Sequence, residues 1–90
     1  MTRLQIIGGG RMGEALLGGL LDGGWADASE LVVVEKVASR RSDLIALFPG
    51  VTITDAPVVA DGAVIAVKPN DVAATCADLA AVGVTRVLSI

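Results

Sequence analysis

Gly8, Gly10 and Gly13 stand in the stretch "IIGGGRMGEALLGGL", Ile6 to Leu20, with the spacing G-x-G-x-x-G between an apolar run and a helix-like pattern. That spacing suits a phosphate-bearing dinucleotide. The first glycine makes a tight turn, the second lets a pyrophosphate approach the backbone, and the third lets the helix pack closely on the strand. Free N–H groups and the dipole at the helix start would then hold the phosphates. A plain strand-to-helix turn is the alternative, but Gly9 adds more conformational entropy cost than such a turn needs.

Counting 35 − 13 = 22 residues beyond the third glycine reaches Glu35, near the offset of an acid that binds the adenosine ribose hydroxyls, which points to NAD. Ser39, Arg40 and Arg41 follow closely, and a hydroxyl with a guanidinium suits a 2′-phosphate, which points to NADP. In the opposing reading, Ser39 only caps a helix and the arginines face solvent. The choice between NAD and NADP stays open on these residues.

"AVKPN", Ala66 to Asn70, closes a strand at the carboxyl edge of a sheet, where open α/β folds bind ligands. Pro69 biases Lys68 towards an extended conformation and turns the chain towards the nicotinamide half of such a ligand. Lys68 reads equally well as a surface lysine. No side chain presents itself as a proton donor, so no catalytic residue is assigned.

The chain has no His, which removes the commonest general base and metal ligand. Its one cysteine, Cys76, supports neither a disulfide framework nor a zinc site, and no metal is expected. In "DVAATCADLAAVG", Val72, Cys76, Leu79 and Gly83 recur at helical spacing, which predicts Cys76 to be a small buried hydrophobe.

These groups must be positioned by a 90-residue chain, enough for one domain, residues 1–90. Hydrophobic residues are 53% of it and aromatics 2%, so the apolar content is aliphatic and suits strands buried on both faces. A strand from Arg3 to Gly8 is predicted to lead into a helix with Met12, Ala15, Leu16, Gly19 and Leu20 on one face, ending at "DGG". "LVVVE" is a second strand. A second helix follows, with Ser39 as N-cap, Leu44, Leu47 and Phe48 as its apolar face, and Pro49-Gly50 as its stop.

"VTIT" and "GAVIAV" are further strands joined by "DAPVVAD", read as a brief connection or a single helical turn. The helix carrying Cys76 and a fifth strand, "RVLSI", complete the chain. This order implies a parallel sheet with right-handed crossovers between two helical layers, an α/β/α architecture.

The net charge of −3 is scattered, which argues against a nucleic-acid surface. The apolar runs are far shorter than the roughly 20 residues that span a bilayer, and the N-terminus lacks a signal-peptide pattern. A soluble, cytoplasmic protein without a membrane partner is expected.

"IIGGGRMGEALLGGLL" followed about fifty residues later by "VIAVKPND" resembles the N-terminal dinucleotide-binding domain of the pyrroline-5-carboxylate reductases. The narrow part of the likeness is a Met after the second glycine together with V-K-P at the end of the fourth strand. The resemblance covers essentially all 90 residues and implies a Rossmann-type, doubly wound parallel sheet. It implies that Ile7, Gly8, Gly9, Gly10, Arg11 and Met12, with Gly13 behind them, wrap the pyrophosphate. Glu35 to Arg40, with Glu35, Ser39 and Arg40 foremost, would meet the adenosine ribose or its phosphate, and Ala66, Val67, Lys68 and Pro69 would line the nicotinamide ribose.

The activity implied is hydride transfer from NADP(H), with NAD(H) possible, to the C=N carbon of 1-pyrroline-5-carboxylate, giving L-proline. The likeness further implies that the chain is the front part of a longer reductase, whose helical C-terminal domain would form a homo-oligomer. The segment between "VTIT" and "GAVIAV" is a few residues shorter than the family pattern. The competing readings are a deazaflavin-dependent NADP reductase or a β-hydroxyacid dehydrogenase on the same domain, and a nucleotide-binding module without catalysis.

Overall fold

β-branched and leucine-rich runs alternate with helix-forming stretches along this chain, and each run becomes a strand, the central ones, β1, β2 and β4, being covered on both faces. The computed structural model describes residues 2–67 and 69–90, the side chain of Pro69 apart. In chain order the elements are β1 (Leu4–Ile7), α1 (Arg11–Asp22), β2 (Leu31–Val34), α2 (Ala38–Leu47), β3 (Thr52–Thr54), β4 (Gly62–Ile65), α3 (Val72–Ala81) and β5 (Val87–Ser89). Short 3₁₀ turns precede β2 at Ala28–Glu30 and α3 at Pro69–Asp71.

The five strands form one all-parallel sheet in the order β3-β2-β1-β4-β5. Ile7, at the carboxyl end of β1, is in register with Val34 of β2 on one side and Ile65 of β4 on the other. The predicted doubly wound α/β/α sheet is therefore present. Ile6, Leu31 and Val33 pack against Leu17 of α1 and Leu44 of α2, while Ile7, Val32, Val34, Ala63 and Ile65 pack on the opposite face with Leu79 of α3.

The connection from β3 to β4, residues 55–61, carries the chain from one side of β1 to the other without a helix. A buried polar residue holds it. Gln5 of β1 is fully buried, its amide nitrogen donates to the Val58 carbonyl at 2.6 Å, and its amide oxygen accepts the Val58 N–H at 2.9 Å. Val58 packs on the α3 side of the core. Gln5 thus replaces the ladder partner that this loop lacks.

Each helix keeps part of the expected inward face, Leu16 and Leu20 in α1, Leu44 and Phe48 at α2, Val72 and Leu79 in α3, and departs from it elsewhere. In α1 the buried residues are Gly13 and Leu17, with Leu16, Leu20 and Leu21 packed beside them, whereas Met12, Ala15 and Gly19 are exposed. Close approach of Gly13 to the strand turns the helix and carries Met12 outwards. In α2 only Leu44 is buried and Phe48 packs beside it, while Leu47 is exposed.

Ser39 does not cap α2. The cap position is Val37, and Ser39 is the exposed second residue of the helix. In α3 the inward positions are Val72, Thr75, Leu79 and then Val82, so Cys76, one step from Thr75, is exposed rather than buried.

Candidate dinucleotide site

Ile7 ends β1, Val34 ends β2 and Ala66 follows β4, so the carboxyl ends of three adjacent strands meet at one edge of the sheet. The chain runs outwards from β1 in one direction through β2 and β3, then in the other through β4 and β5. A crevice must open where that direction reverses. A cleft of about 450 Å³ lies there. Its floor is Ile7, Gly8 and Gly10, one wall is Val34, Glu35, Lys36 and Val37, and the other is Ala66, Val67, Asp71 and Thr75.

The glycines divide the work by position. Gly8 has φ +104°, a left-handed backbone that side chains other than hydrogen disfavour, and a Cβ there would lie 2.5 Å from the Ala66 carbonyl oxygen. Gly8 therefore lets the β1–α1 turn lie against the end of β4. A Cβ on Gly13 would overlap the carbonyl oxygen of Gly8, so that glycine permits the close seat of α1 on the turn. An added Cβ at Gly10 would meet nothing within 4 Å, which leaves the space above it open for a ligand.

Gly10 is also the cap position of α1, and no side chain bonds to the helix start. The first intrahelical bond along this turn runs from the Glu14 N–H to the Gly10 carbonyl at 2.9 Å. The N–H groups ahead of it are those a helix leaves without internal partners. Open space over Gly10 and uncapped donors at a helix start fit a pyrophosphate, so the residues present suit a dinucleotide.

Of the sequence-predicted positions, the cleft brings together Ile7, Gly8, Gly10, Glu35, Ala66 and Val67. Gly9, Arg11, Met12 and Gly13 belong to the same turn and helix start but do not line it, and Ser39 faces outwards on α2. Lys68 and the side chain of Pro69 lie outside the described residues.

The arginines do not simply face solvent. Arg40 Nε donates to the Gly9 carbonyl and its guanidinium lies 3.6 Å from Glu14 Oε2. Arg41 Nη1 donates to the carbonyls of Glu35 and Lys36, each at 2.9 Å. Glu35 is likewise engaged: Oε1 accepts the Gly9 N–H and Oε2 the Val37 N–H, both at 2.9 Å.

Lys36 and Val37, inside the span from Glu35 to Arg40 that the family likeness assigns to the ribose, line the cleft, as do Asp71 and Thr75, which were not singled out in the sequence. Thr75 carried no signal: its hydroxyl, on the inward face of α3, donates to the Asp71 carbonyl at 2.9 Å. Among the described residues, no group of three His, Cys, Asp or Glu side chains could hold a metal ion, and no helix is long and apolar enough to cross a membrane.

Comparison with known proteins agrees with this geometry. The chain is 45% identical over 83 residues to a pyrroline-5-carboxylate reductase of Mycobacterium tuberculosis, covering 89% of this chain and 28% of that protein. It is 43% identical over 81 residues to the Mycobacterium leprae pyrroline-5-carboxylate reductase, covering 88% and 27% respectively. The chain thus spans little more than a quarter of the length of these relatives. The solved structure of a pyrroline-5-carboxylate reductase from Coxiella burnetii superposes with a TM-score of 0.82 at 27% identity, over 99% of this chain and 35% of that one. Residues 3–90 match the family described as NADP oxidoreductase, coenzyme F420-dependent, and the chain belongs to that family.

Proposed function

We propose that this chain is the dinucleotide-binding domain of a pyrroline-5-carboxylate reductase. The observation that carries the proposal is the open cleft at the sheet's switch point, floored by glycines whose geometry suits a pyrophosphate. The likeness to reductases of that name over nearly the whole chain supports it. A bound NADPH or NADH would supply the hydride that reduces the C=N carbon of 1-pyrroline-5-carboxylate to give L-proline.

The chain's own share is binding and orientation. The backbone N–H groups of Gly10, Arg11 and Met12 at the start of α1 would hold the phosphates. Glu35, Lys36 and Val37 flank the adenosine end, and Ala66 and Val67 flank the nicotinamide end. NADP is the preferred form, because Lys36 lies in the cleft wall and Arg40 stands in the first turn of α2 beside it, two cations that suit a 2′-phosphate. The remaining length found in the relatives would supply the imine pocket and the homo-oligomer contact, in a protein that works in the cytoplasm.

The test is NADPH oxidation by the full-length protein with 1-pyrroline-5-carboxylate supplied. Turnover with the imine is expected, faster with NADPH than with NADH, and a folded protein without imine-dependent oxidation would sink the proposal. One rival has an observation behind it, since the family's description names coenzyme F420. Supplying that deazaflavin in place of the imine separates the two, as only a deazaflavin-dependent NADP reductase would turn it over.

A further inference from the structure

Gly9 is the glycine that the G-x-G-x-x-G spacing does not ask for, and both halves of its backbone are gripped by charged side chains from the β2–α2 region. Its N–H donates to Glu35 Oε1 at 2.9 Å, and its carbonyl accepts from Arg40 Nε. Glu35 Oε2 meanwhile accepts the Val37 N–H, and Arg40 reaches Glu14 on α1. A Cβ on Gly9 would lie 2.5 Å from Leu44 Cδ1 and 3.2 Å from Glu35 Oε1. Leu44 is fully buried, so it has no room to retreat. A side chain at position 9 would therefore lift the loop off Glu35.

We infer that Glu35 is a positioning residue, which acts on a bound dinucleotide through the Gly9 peptide and not by reading the adenosine ribose. This rests on the dinucleotide reading above and deepens it. Each carboxylate oxygen already has a backbone N–H partner, one on the phosphate loop and one at the start of α2. Glu35 thereby fixes the loop that presents Gly10 to the cleft. A group that sets the phosphate loop must affect every ligand that the loop holds, with or without a 2′-phosphate, and also a ligand that has no ribose.

The experiment compares the full-length protein with Glu35→Gln, which keeps one acceptor oxygen but faces one of the two N–H groups with an amide donor. NADPH and NADH are titrated calorimetrically, inorganic pyrophosphate is added as a ribose-free probe, and amide hydrogen exchange is read at Gly9 and Val37. Affinity is expected to fall about tenfold for both dinucleotides, the scale of one lost charge-assisted hydrogen bond, with their ratio unchanged within about twofold. Pyrophosphate should weaken in parallel, and the Gly9 amide should lose protection while the amides of β2 keep theirs.

Loss confined to NADH, with NADPH unchanged or tighter, would overturn the inference and return Glu35 to the ribose. Unchanged affinities for all three probes would overturn it as well. Should Glu35→Gln fail to fold, the exchange measurement on the unmodified protein still decides, because a rapidly exchanging Gly9 amide contradicts the grip. If the unmodified protein binds neither dinucleotide while Gly9 is protected, the dinucleotide reading fails and the grip survives as a structural contact only.

Discussion

Gly10 and Gly13 are three residues apart and chemically identical, yet they should respond oppositely to a side chain. Gly10→Val places its methyls in the open space over the cleft. Affinity for NADPH and NADH should fall tenfold or more, while stability changes by less than about 1 kcal/mol, the scale of a helix-cap substitution. Gly13→Ala pushes a methyl into the Gly8 carbonyl and should destabilise the fold by about 1–3 kcal/mol. Calorimetric titration and thermal unfolding of both variants separate the two roles, and equal behaviour would contradict the division. Cys76 offers a third check: as an exposed thiol it should react with a disulfide reagent in the native protein without prior unfolding, and Cys76→Ser should shift stability by no more than about 0.5 kcal/mol. At this scale the glycines were legible because their spacing between a strand and a helix suits a phosphate-bearing ligand better than a plain turn. Glu35 was found by the same count, but its engagement with Gly9 and Val37 depends on how two loops meet, which spacing along one chain does not encode.

Helix rotation was the hardest feature to read. α1 and α3 are rich in Gly and Ala, so their apolar stripes are broad and several rotations satisfy the 3.6-residue period about equally. Burial of Gly13 decides α1, and the inward positions Val72, Thr75 and Leu79 decide α3. The strands were easier: "LVVV" and "GAVI" have no polar side of their own and must be covered on both. Gln5 is the exception within β1, a polar residue in a core position whose partner, Val58, is 53 residues away. Gln5→Leu should leave the Val58 N–H and carbonyl without partners and cost about 1–3 kcal/mol, read as a lower urea midpoint with an unchanged slope. A midpoint equal to that of the unmodified protein would show that the loop is held by packing alone.

Across the whole molecule, the alternation of strands and helices implied a parallel sheet between helical layers, and the sheet has that parallel, doubly wound form. What the alternation left open was the way the chain changes sides. The β5 edge is the second whole-molecule feature, with Val87, Leu88 and Ile90 all exposed beside an open groove along β4 and β5. An unpaired apolar edge of this kind invites pairing with another strand. The 90-residue chain alone should therefore associate in a concentration-dependent way, and Leu88→Lys should reduce that association in light scattering. A clean monomer at all concentrations would remove the edge as a site of association.

The helix-free passage from β3 to β4 also bears on how quickly the molecule can form. β1 meets β2 after 34 − 7 = 27 residues, counted from Ile7 to Val34, but meets β4 only after 65 − 7 = 58, from Ile7 to Ile65. The second pairing closes the longer loop, and distant parallel pairings are slow to form. The segment from β1 to β3 should therefore gain protection first in a refolding experiment. Gln5, whose amide completes its bonds only when Val58 arrives, would mark the moment at which the two halves of the sheet become one.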